Sequence, residues 1–512
     1  LGPEPWHGLA PAEASALFES ILARERAAWR GLLDRVAFDV PPEAERYAKV
    51  LRSQLAFVLV NRDGPAIQPG SRSYARSWIR DGALTSEALL RLGQGAAARS
   101  FLLWFAGFQG EDGRVPCCVD RRGADGVPEN DSHGEFLYLV AETVRYTGDR
   151  GLAERMWPRV VAAVSYIDAL RQKRRTAEYE TPGKRVFYGL LPESISHEGY
   201  SAKPMHSYWD DAFAIRGLKD AVFLATYLGK EGQAKEFARI RDELTADVHA
   251  SIRLVMERHG IDTLPGCAEL GDFDATSTTA TIAPGGELAR LPREAVERTF
   301  DRYLANVAKR EAGEGELYTP YELRTVGTFV RLDRRDDAFR LLGLFLRDLR
   351  PPEWNAWAEV VWRDPRTPKF VGDIPHTWVG TDYARSFLDL FAYEREDDAA
   401  LVVAAGLPEA WVRSAQGVSV KRLGTPYGPL DLSVAADGSG VRVRLAGLRN
   451  VPPGGLVLKP PIPPGPVSAT VDGRPLPLSP GGEVVVRSLP AEVVVFPGAP
   501  SAAPSTPSRR TR

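Results

Sequence analysis

Side chains able to do chemistry are concentrated in a few stretches of this 512-residue chain. The first is Ser77–Ala83, SWIRDGA, which carries Trp78, Arg80 and Asp81. An adjacent Arg–Asp pair with a Trp just ahead suits a sugar: the carboxylate accepts hydroxyl hydrogen bonds, the guanidinium donates a planar fork, and the indole offers an apolar face. An Asp at a helix start also serves as an N-cap. A second stretch, Gly189–Leu218, holds Glu193, His197, Glu198, Tyr200, His206, Tyr208, Trp209, Asp210 and Asp211. A third, Pro351–Leu390, holds Trp357, Glu359, Trp362, Asp373, His376, Trp378 and Asp382. A shorter one, ENDSHGEFLYL, adds Asp131, His133 and Glu135. So many carboxylates and aromatics in loops are costly to order unless they build a pocket.

These stretches need a scaffold, and the hydrophobic pattern supplies one. From about Ala12 to Arg395 apolar residues recur at helical spacing. A leading helix carries Leu17, Ile21, Leu22 and Trp29. Twelve further helices are predicted, near 43–61, 82–92, 96–108, 133–147, 150–172, 207–228, 230–256, 275–283, 293–308, 320–332, 335–350 and 376–393. Short connections such as Gly93–Gly95, Gly148–Asp149 and Leu228–Gly229 alternate with long ones that contain the chemistry-bearing stretches. Long loops in a compact domain are usually functional. A ring of helical hairpins with every long loop on one face accounts for the alternation. After about Gly406 the period changes to two, between Gly/Pro turns, as in a small antiparallel β-domain. The fold class is thus mainly α, an (α/α)6 toroid followed by a β-sandwich-like domain. The predicted divisions are a lead-in at 1–42, the toroid at 43–400, the β-domain at 401–497 and a disordered Pro/Ser/Ala-rich tail at 498–512.

Composition narrows the function classes. A hydrophobic content of 44% and a charged content of 26% fit a globular protein with a large core. The net charge of −2 gives no electrostatic footprint for nucleic acid, and no basic amphipathic stretch suggests a membrane surface. Cys117, Cys118 and Cys267 have no zinc-site spacing and read as small buried hydrophobes. No metal or cofactor is called for, and the oligomeric state is left open. Leu1 in place of Met reads as a trimmed chain, which leaves the compartment, cytoplasmic or exported, undetermined.

The helix count, the W-x-R-D-G-A string, the P-x-S-x-S-x-E-G…YWDD string and the W-x-E…GD-x-P-H-x-W string resemble the six-hairpin glycosidases over roughly Glu43–Glu394. That superfamily includes bacterial glucoamylases, trehalases and processing α-glucosidases. The resemblance implies an inverting, exo-acting hydrolase of a glucoside or related oligosaccharide, with a general acid from the loop after the fifth helix and a general base from the loop before the last. In the first of these loops Glu198, preceded by His197 and followed by Gly199, is the candidate acid, with Glu193 the alternate. In the second, Glu359 between Trp357 and Trp362 is the candidate base, with Asp373 the alternate. Arg80 and Asp81 match the sugar-gripping pair, and Trp78, His133, Tyr208, Trp209, Asp210, Trp357, His376 and Trp378 are further candidate substrate contacts.

Three other functions use the same residues differently. A phosphorylase needs an anion site, for which Arg363, Arg366, Lys369 and His376 are available. A polysaccharide lyase would pair Tyr208 with His206, and a carbohydrate-binding scaffold would keep the groove without turnover.

Overall fold

The computed structural model describes residues 9–197, 199–314, 317–362, 364, 372–463, 465 and 467–498. Glu198, Arg363, Arg366, Lys369, the Trp362 side chain and residues 499–512 of the tail lie outside what is described.

Helix α1 (Pro11–Leu33) and the short strand β1 (Ala37–Asp39) lead into α2 (Glu45–Val60), α3 (Ile79–Arg91), α4 (Gly95–Phe105), α5 (Ser132–Thr147), α6 (Arg150–Gln172) and α7 (Tyr208–Tyr227). Then follow α8 (Glu231–His259), α9 (Ala275–Ile282), α10 (Arg293–Glu311), α11 (Arg324–Arg331), α12 (Arg335–Arg347) and α13 (Thr377–Asp389). The odd-numbered helices from α3 close a ring: α3 packs on α5, α5 on α7, α7 on α9, α9 on α11, α11 on α13, and α13 again on α3. The even-numbered helices form the outer layer, with α2 backing α13. The six-hairpin toroid is therefore the observed architecture. Among the described residues, no helix is long and apolar enough to cross a membrane.

The ring helices are buried on nearly every side, α3 along its whole length, so they approach each other closely. A side chain on Gly134 of α5 would strike the Phe213 carbonyl of α7, and one on Gly217 would strike the Gly134 Cα at 2.6 Å. Lacking Cβ atoms here, the two backbones come into near contact.

The long loops add small pairings: β2 (Ser77–Trp78), β3 (Cys118–Asp120) and β4 (Gly123–Ala124) form one sheet, and β5 (Leu317–Tyr318) and β6 (Val361–Trp362) another. The C-terminal domain contains β7 (Ala392–Arg395), β8 (Ala400–Val403), β9 (Val418–Leu423), β10 (Leu430–Asp437), β11 (Gly440–Ala446), β12 (Leu456–Leu458), β13 (Val467–Val471), β14 (Arg474–Leu476), β15 (Val484–Val486) and β16 (Ala491–Pro497). One sheet runs β1-β9-β10-β11-β16-β13-β14, the other β15-β12-β8-β7.

Three details differ from the sequence pattern. The β-domain begins at Ala392 rather than 401, and β8 pairs with β12 in parallel, Leu401 opposite Leu456. Ala400–Val403 is apolar and buried at every position, so it shows no alternation to read. The lead-in is not separate: β1 pairs with β9, Phe38 opposite Val420, and the Phe38 ring packs on Phe387 and Phe391. Finally, α11 starts at Arg324, because Pro320–Leu323 forms a 3-10 turn.

Candidate active site

The N-termini of the six ring helices meet at one end of the toroid, as the side-chain contacts between their first turns show. Helix N-termini carry partial positive charge, which favours carboxylates there. Arg80, in the first turn of α3, donates from Nε to Asp131 at 3.0 Å and pairs with Glu129, with Glu135 at 3.9 Å. Trp209 of α7 donates its indole N–H to the same Asp131 at 2.9 Å. Burial opposes the Arg80 charge, but the Asp131, Glu135 and Asp81 carboxylates more than restore it and raise its pKa. Burial likewise opposes the Asp131 charge, yet Arg80 and Trp209 hold its pKa below the usual value. Burial, and then the Asp131 charge beside it, pushes the Glu135 carboxyl well above its ordinary value.

A guanidinium–aromatic floor continues across the ring. Arg324 of α11 is clamped by Asp382 of α13 at 2.7 Å, and its guanidinium lies over Trp209 and Trp378, each at 5.2 Å. Arg80 lies 5.5 Å from the Trp378 ring. The rim is a chain of ring contacts: Trp78 to Tyr74 at 5.7 Å, Tyr74 to His376 at 5.1 Å, His376 to Tyr321 at 5.9 Å, and Tyr321 to Trp378 at 4.4 Å.

Glu359 sits within this rim, 7% exposed. Its carboxylate accepts one hydrogen bond from the Tyr74 hydroxyl and one, at 2.6 Å, from the Tyr321 hydroxyl. Burial first, then the Glu359 charge with Asp81 adding, raises the Tyr321 phenol well above its ordinary pKa, so it remains a donor. Two donors on one carboxylate favour its ionised form. Trp357 is not a wall beside Glu359: its indole donates to the Phe345 carbonyl at 2.9 Å and its ring packs on Tyr383 in the core. Asp373 is likewise engaged elsewhere, accepting the backbone N–H groups of Arg72, Ser73 and Tyr74 at 2.7 to 3.2 Å. It fixes the loop that presents Tyr74, and although burial opposes its charge those bonds lower its pKa.

The loop before α7 is bolted to that helix by its two aspartates. Asp210 accepts the Ser194 hydroxyl at 2.5 Å, and Asp211 accepts the Leu191 N–H at 3.0 Å. Burial, then the nearby Asp131 charge, pushes Asp210 up to about 8. Glu193 is turned outward, its side chain 47% exposed, and pairs with Arg174 and with His206 at 3.4 Å. Burial acts to raise its pKa, but its own backbone N–H and Arg174 bring it below the ordinary value, the wrong bias for a general acid.

Two sequence candidates face away from this cluster. His133 accepts the Val115 N–H at 3.1 Å and packs on Tyr166 of α6; burial lowers its pKa to about 4. The Tyr208 hydroxyl bonds Ser251 of α8 at 2.7 Å. His376 caps α13 by accepting the Val379 N–H at 3.5 Å, and burial lowers its pKa to about 3. Among the described residues, Trp378 Nε1 and Asp210 Oδ1 are buried without a hydrogen-bond partner. No group of three His, Cys, Asp or Glu side chains among the described residues is placed to hold a metal ion.

The pattern reading missed Tyr74, Tyr321, Arg324, Glu129 and the pairing of Asp131 with Arg80. Tyr74 lies in the long Arg62–Arg80 loop already marked as functional, four positions before Trp78. Tyr321 lies in the 3-10 turn that the helical pattern absorbed into α11.

No family model and no curated protein match this sequence. Solved structures do resemble it in fold. An α-L-rhamnosidase from Dictyoglumus thermophilum superposes with a TM-score of 0.56 at 12% identity, over 90% of this chain and 50% of its own. A GH78 family rhamnosidase of Bacillus sp. GL1 gives 0.59 at 14%, over 84% and 43%. A Streptomyces avermitilis α-L-rhamnosidase complexed with L-rhamnose gives 0.56 at 15%, over 90% and 42%. This chain thus spans half or less of each of those proteins, and at such identity the likeness is one of fold.

Proposed function

We propose that this protein is an inverting, exo-acting glycoside hydrolase. The observation that carries the reading is Glu359, a buried carboxylate held by the Tyr74 and Tyr321 hydroxyls within an aromatic rim. That is the environment of a general base: donors favour its charge, and aromatic faces can pack a pyranose so that water reaches the anomeric carbon from the Glu359 side. The partner acid is Glu198, from the loop that Asp210 and Asp211 fasten to α7. Glu198 would protonate the leaving oxygen while Glu359 takes a proton from the attacking water, inverting the anomeric configuration. Arg80, Asp81, Trp78, Trp209, Trp378 and Asp210 are the proposed sugar contacts. The unpartnered Trp378 Nε1 supplies a donor, and Asp210 Oδ1, on a carboxyl pushed up to about 8, donates when protonated and accepts when ionised.

The substrate class is a neutral terminal hexoside. The carboxylates gathered at the helix N-termini disfavour an anionic sugar. The glucoamylase-like motifs point to a glucoside, and the rhamnosidases of like fold make an L-rhamnoside the second sugar to assay. The lyase reading is disfavoured: Tyr208 is committed to Ser251, and His206 to Glu269 at 2.7 Å.

A panel of aryl glucosides, aryl rhamnosides and natural disaccharides, with the product anomer followed by NMR, tests the proposal. Release of free sugar of inverted configuration supports it. A phosphate requirement, a retained anomer or binding without turnover would each overturn it.

A further inference from the structure

A cleft of about 550 Å³ lies at the far end of α3 and α5 from Arg80 and Asp131, between the end of α1, the α3–α4 turn and the β9–β10 turn. Helix α3 has 13 residues, so at about 1.5 Å per residue the cleft is roughly 20 Å from Arg80 along the helix. Four arginines line it: Arg30 in the last turn of α1, Arg35 just after that helix, Arg422 on β9 and Arg449 beyond β11.

Clustered arginines elsewhere in this protein are met by carboxylates, as Arg91 is by Asp389 at 2.9 Å and Arg310 by Glu322 at 2.7 Å. The four in the cleft are not. Arg35 donates to the Gly93 carbonyl at 2.8 Å, Arg422 to the Arg35 and Asp34 carbonyls at 2.6 and 3.1 Å, and Arg449 to the Tyr146 carbonyl at 3.3 Å. Those acceptors are neutral, and a guanidinium has five N–H donors, so most donors and the full positive charge stay open. Among the described residues the Arg30 side chain has no hydrogen-bond or ion-pair partner. The lining includes a single carboxylate, Asp34, which is bound to Arg52 at 2.8 Å. Like charges drawn into one cleft repel each other. Arg422 is moreover held at φ 60°, a strained conformation for a residue with a side chain, its N–H tied to Asp431 at 2.7 Å beside a register shift in the β9–β10 pairing.

We propose that this cleft binds a phosphorylated small molecule, whose phosphate oxygens take the open donors of Arg30, Arg35, Arg422 and Arg449. A guanidinium fork matches phosphate oxygens two at a time, and a doubly charged phosphate ester answers several arginines at once where a single carboxylate cannot. The cleft has the volume of a small-molecule site, more than inorganic phosphate alone requires, and Leu90 and Pro429 give the esterified part an apolar surface. The arginines come from the lead-in and from the β-domain, and their carbonyl partners include the turn after α3 and the last turn of α5. A bound phosphate ester therefore ties lead-in, toroid and β-domain together and stabilises the fold by mass action. This site does not depend on the hydrolase reading.

Calorimetric titration of the full chain with glycerol 3-phosphate and glucose 6-phosphate, with glycerol, glucose and sulfate as controls, tests the proposal. At least one ester should bind, raise the thermal midpoint, and lose affinity about 10-fold between about 20 and 300 mM NaCl. Arg30→Gln with Arg449→Gln removes the two arginines that make the fewest bonds. This double variant should keep the thermal midpoint of the ligand-free chain and bind the ester about 10-fold more weakly, the scale of lost charge-assisted hydrogen bonds. Equal affinity in the double variant overturns the assignment to this cleft. No ester binding, or sulfate bound as tightly as either ester, overturns the ligand class. Retention of an oligonucleotide without ester binding overturns it in favour of a polyanion surface.

Discussion

The two ends of the toroid differ in a way that cavity size does not reveal. At the end opposite Glu359, between the C-termini of the ring helices and the β-domain, lies a cavity of about 990 Å³. Its charges are largely committed to one another: Arg385 with Glu87 at 2.5 Å, Arg91 with Asp389 at 2.9 Å, and Arg145 with Glu142 and Asp220 at 2.6 Å each. The N-terminal end instead holds Glu359, a carboxylate supplied with two tyrosine hydroxyl donors inside a continuous chain of ring contacts. A large, internally paired cavity is a structural seam. The smaller cluster around Glu359 is the proposed substrate site.

The sharpest way to break this comparison is to substitute one residue at each end. Glu359→Gln should lower kcat by roughly 100-fold or more, the scale of lost general-base help. Its thermal midpoint should stay close to that of the unaltered protein. Normal turnover in this variant would remove Glu359 from the mechanism. At the other end Arg385→Met should behave oppositely, destabilising by about 3 kcal/mol because Glu87 loses a buried partner. Urea titration measures that loss, and kcat per folded molecule should hold. A large fall in kcat would show that the cavity end participates in catalysis.

Smaller effects test how Glu359 is held. Tyr74→Phe and Tyr321→Phe each remove one hydrogen bond to a charged acceptor, and each should lower kcat about 10-fold. The double variant should raise the pH at which Glu359 titrates, seen as a shift of the acidic limb of the rate profile. An unchanged limb would mean that the tyrosines pack the rim without tuning the carboxylate.

The smallest effect concerns which end responds to acid first. His133 and His376 have folded pKa values near 4 and 3, below the ordinary 6.5, so both are neutral in the folded protein at pH 7. A depressed histidine contributes stability that is present above 6.5 and is lost as pH falls toward the folded value. Between pH 7 and 6 the pair should cost about 1 kcal/mol of stability. The Arg–carboxylate seam should persist to lower pH, because its arginines hold Glu87 and Asp389 below their ordinary pKa despite burial. Hydrogen exchange at pH 6 should accordingly accelerate at the starts of α5 and α13 before it does at the ends of α3 and α13. Uniform acceleration would contradict the assignment.

The sequence by itself determined the helical hairpins and the ring. Helical spacing identifies each element, and alternating short and long connections allow one arrangement that puts the long loops together. It also marked Arg80, Glu359 and Trp378, because charged and aromatic residues clustered in loops are hard to explain otherwise. What it could not decide was which loop residues meet. Trp357 and Glu359 are two positions apart, yet one packs in the core and the other joins the rim. Tyr74, the partner that holds Glu359, comes from 285 residues away. Loops carry no periodicity, so the direction of a loop side chain is set by what the closed ring brings opposite it. The same holds for the parallel β8–β12 pair and for β1, whose places depend on strands far along the chain. Local pattern fixes elements through short-range hydrogen bonding and burial, whereas long-range closure chooses the contacts between them.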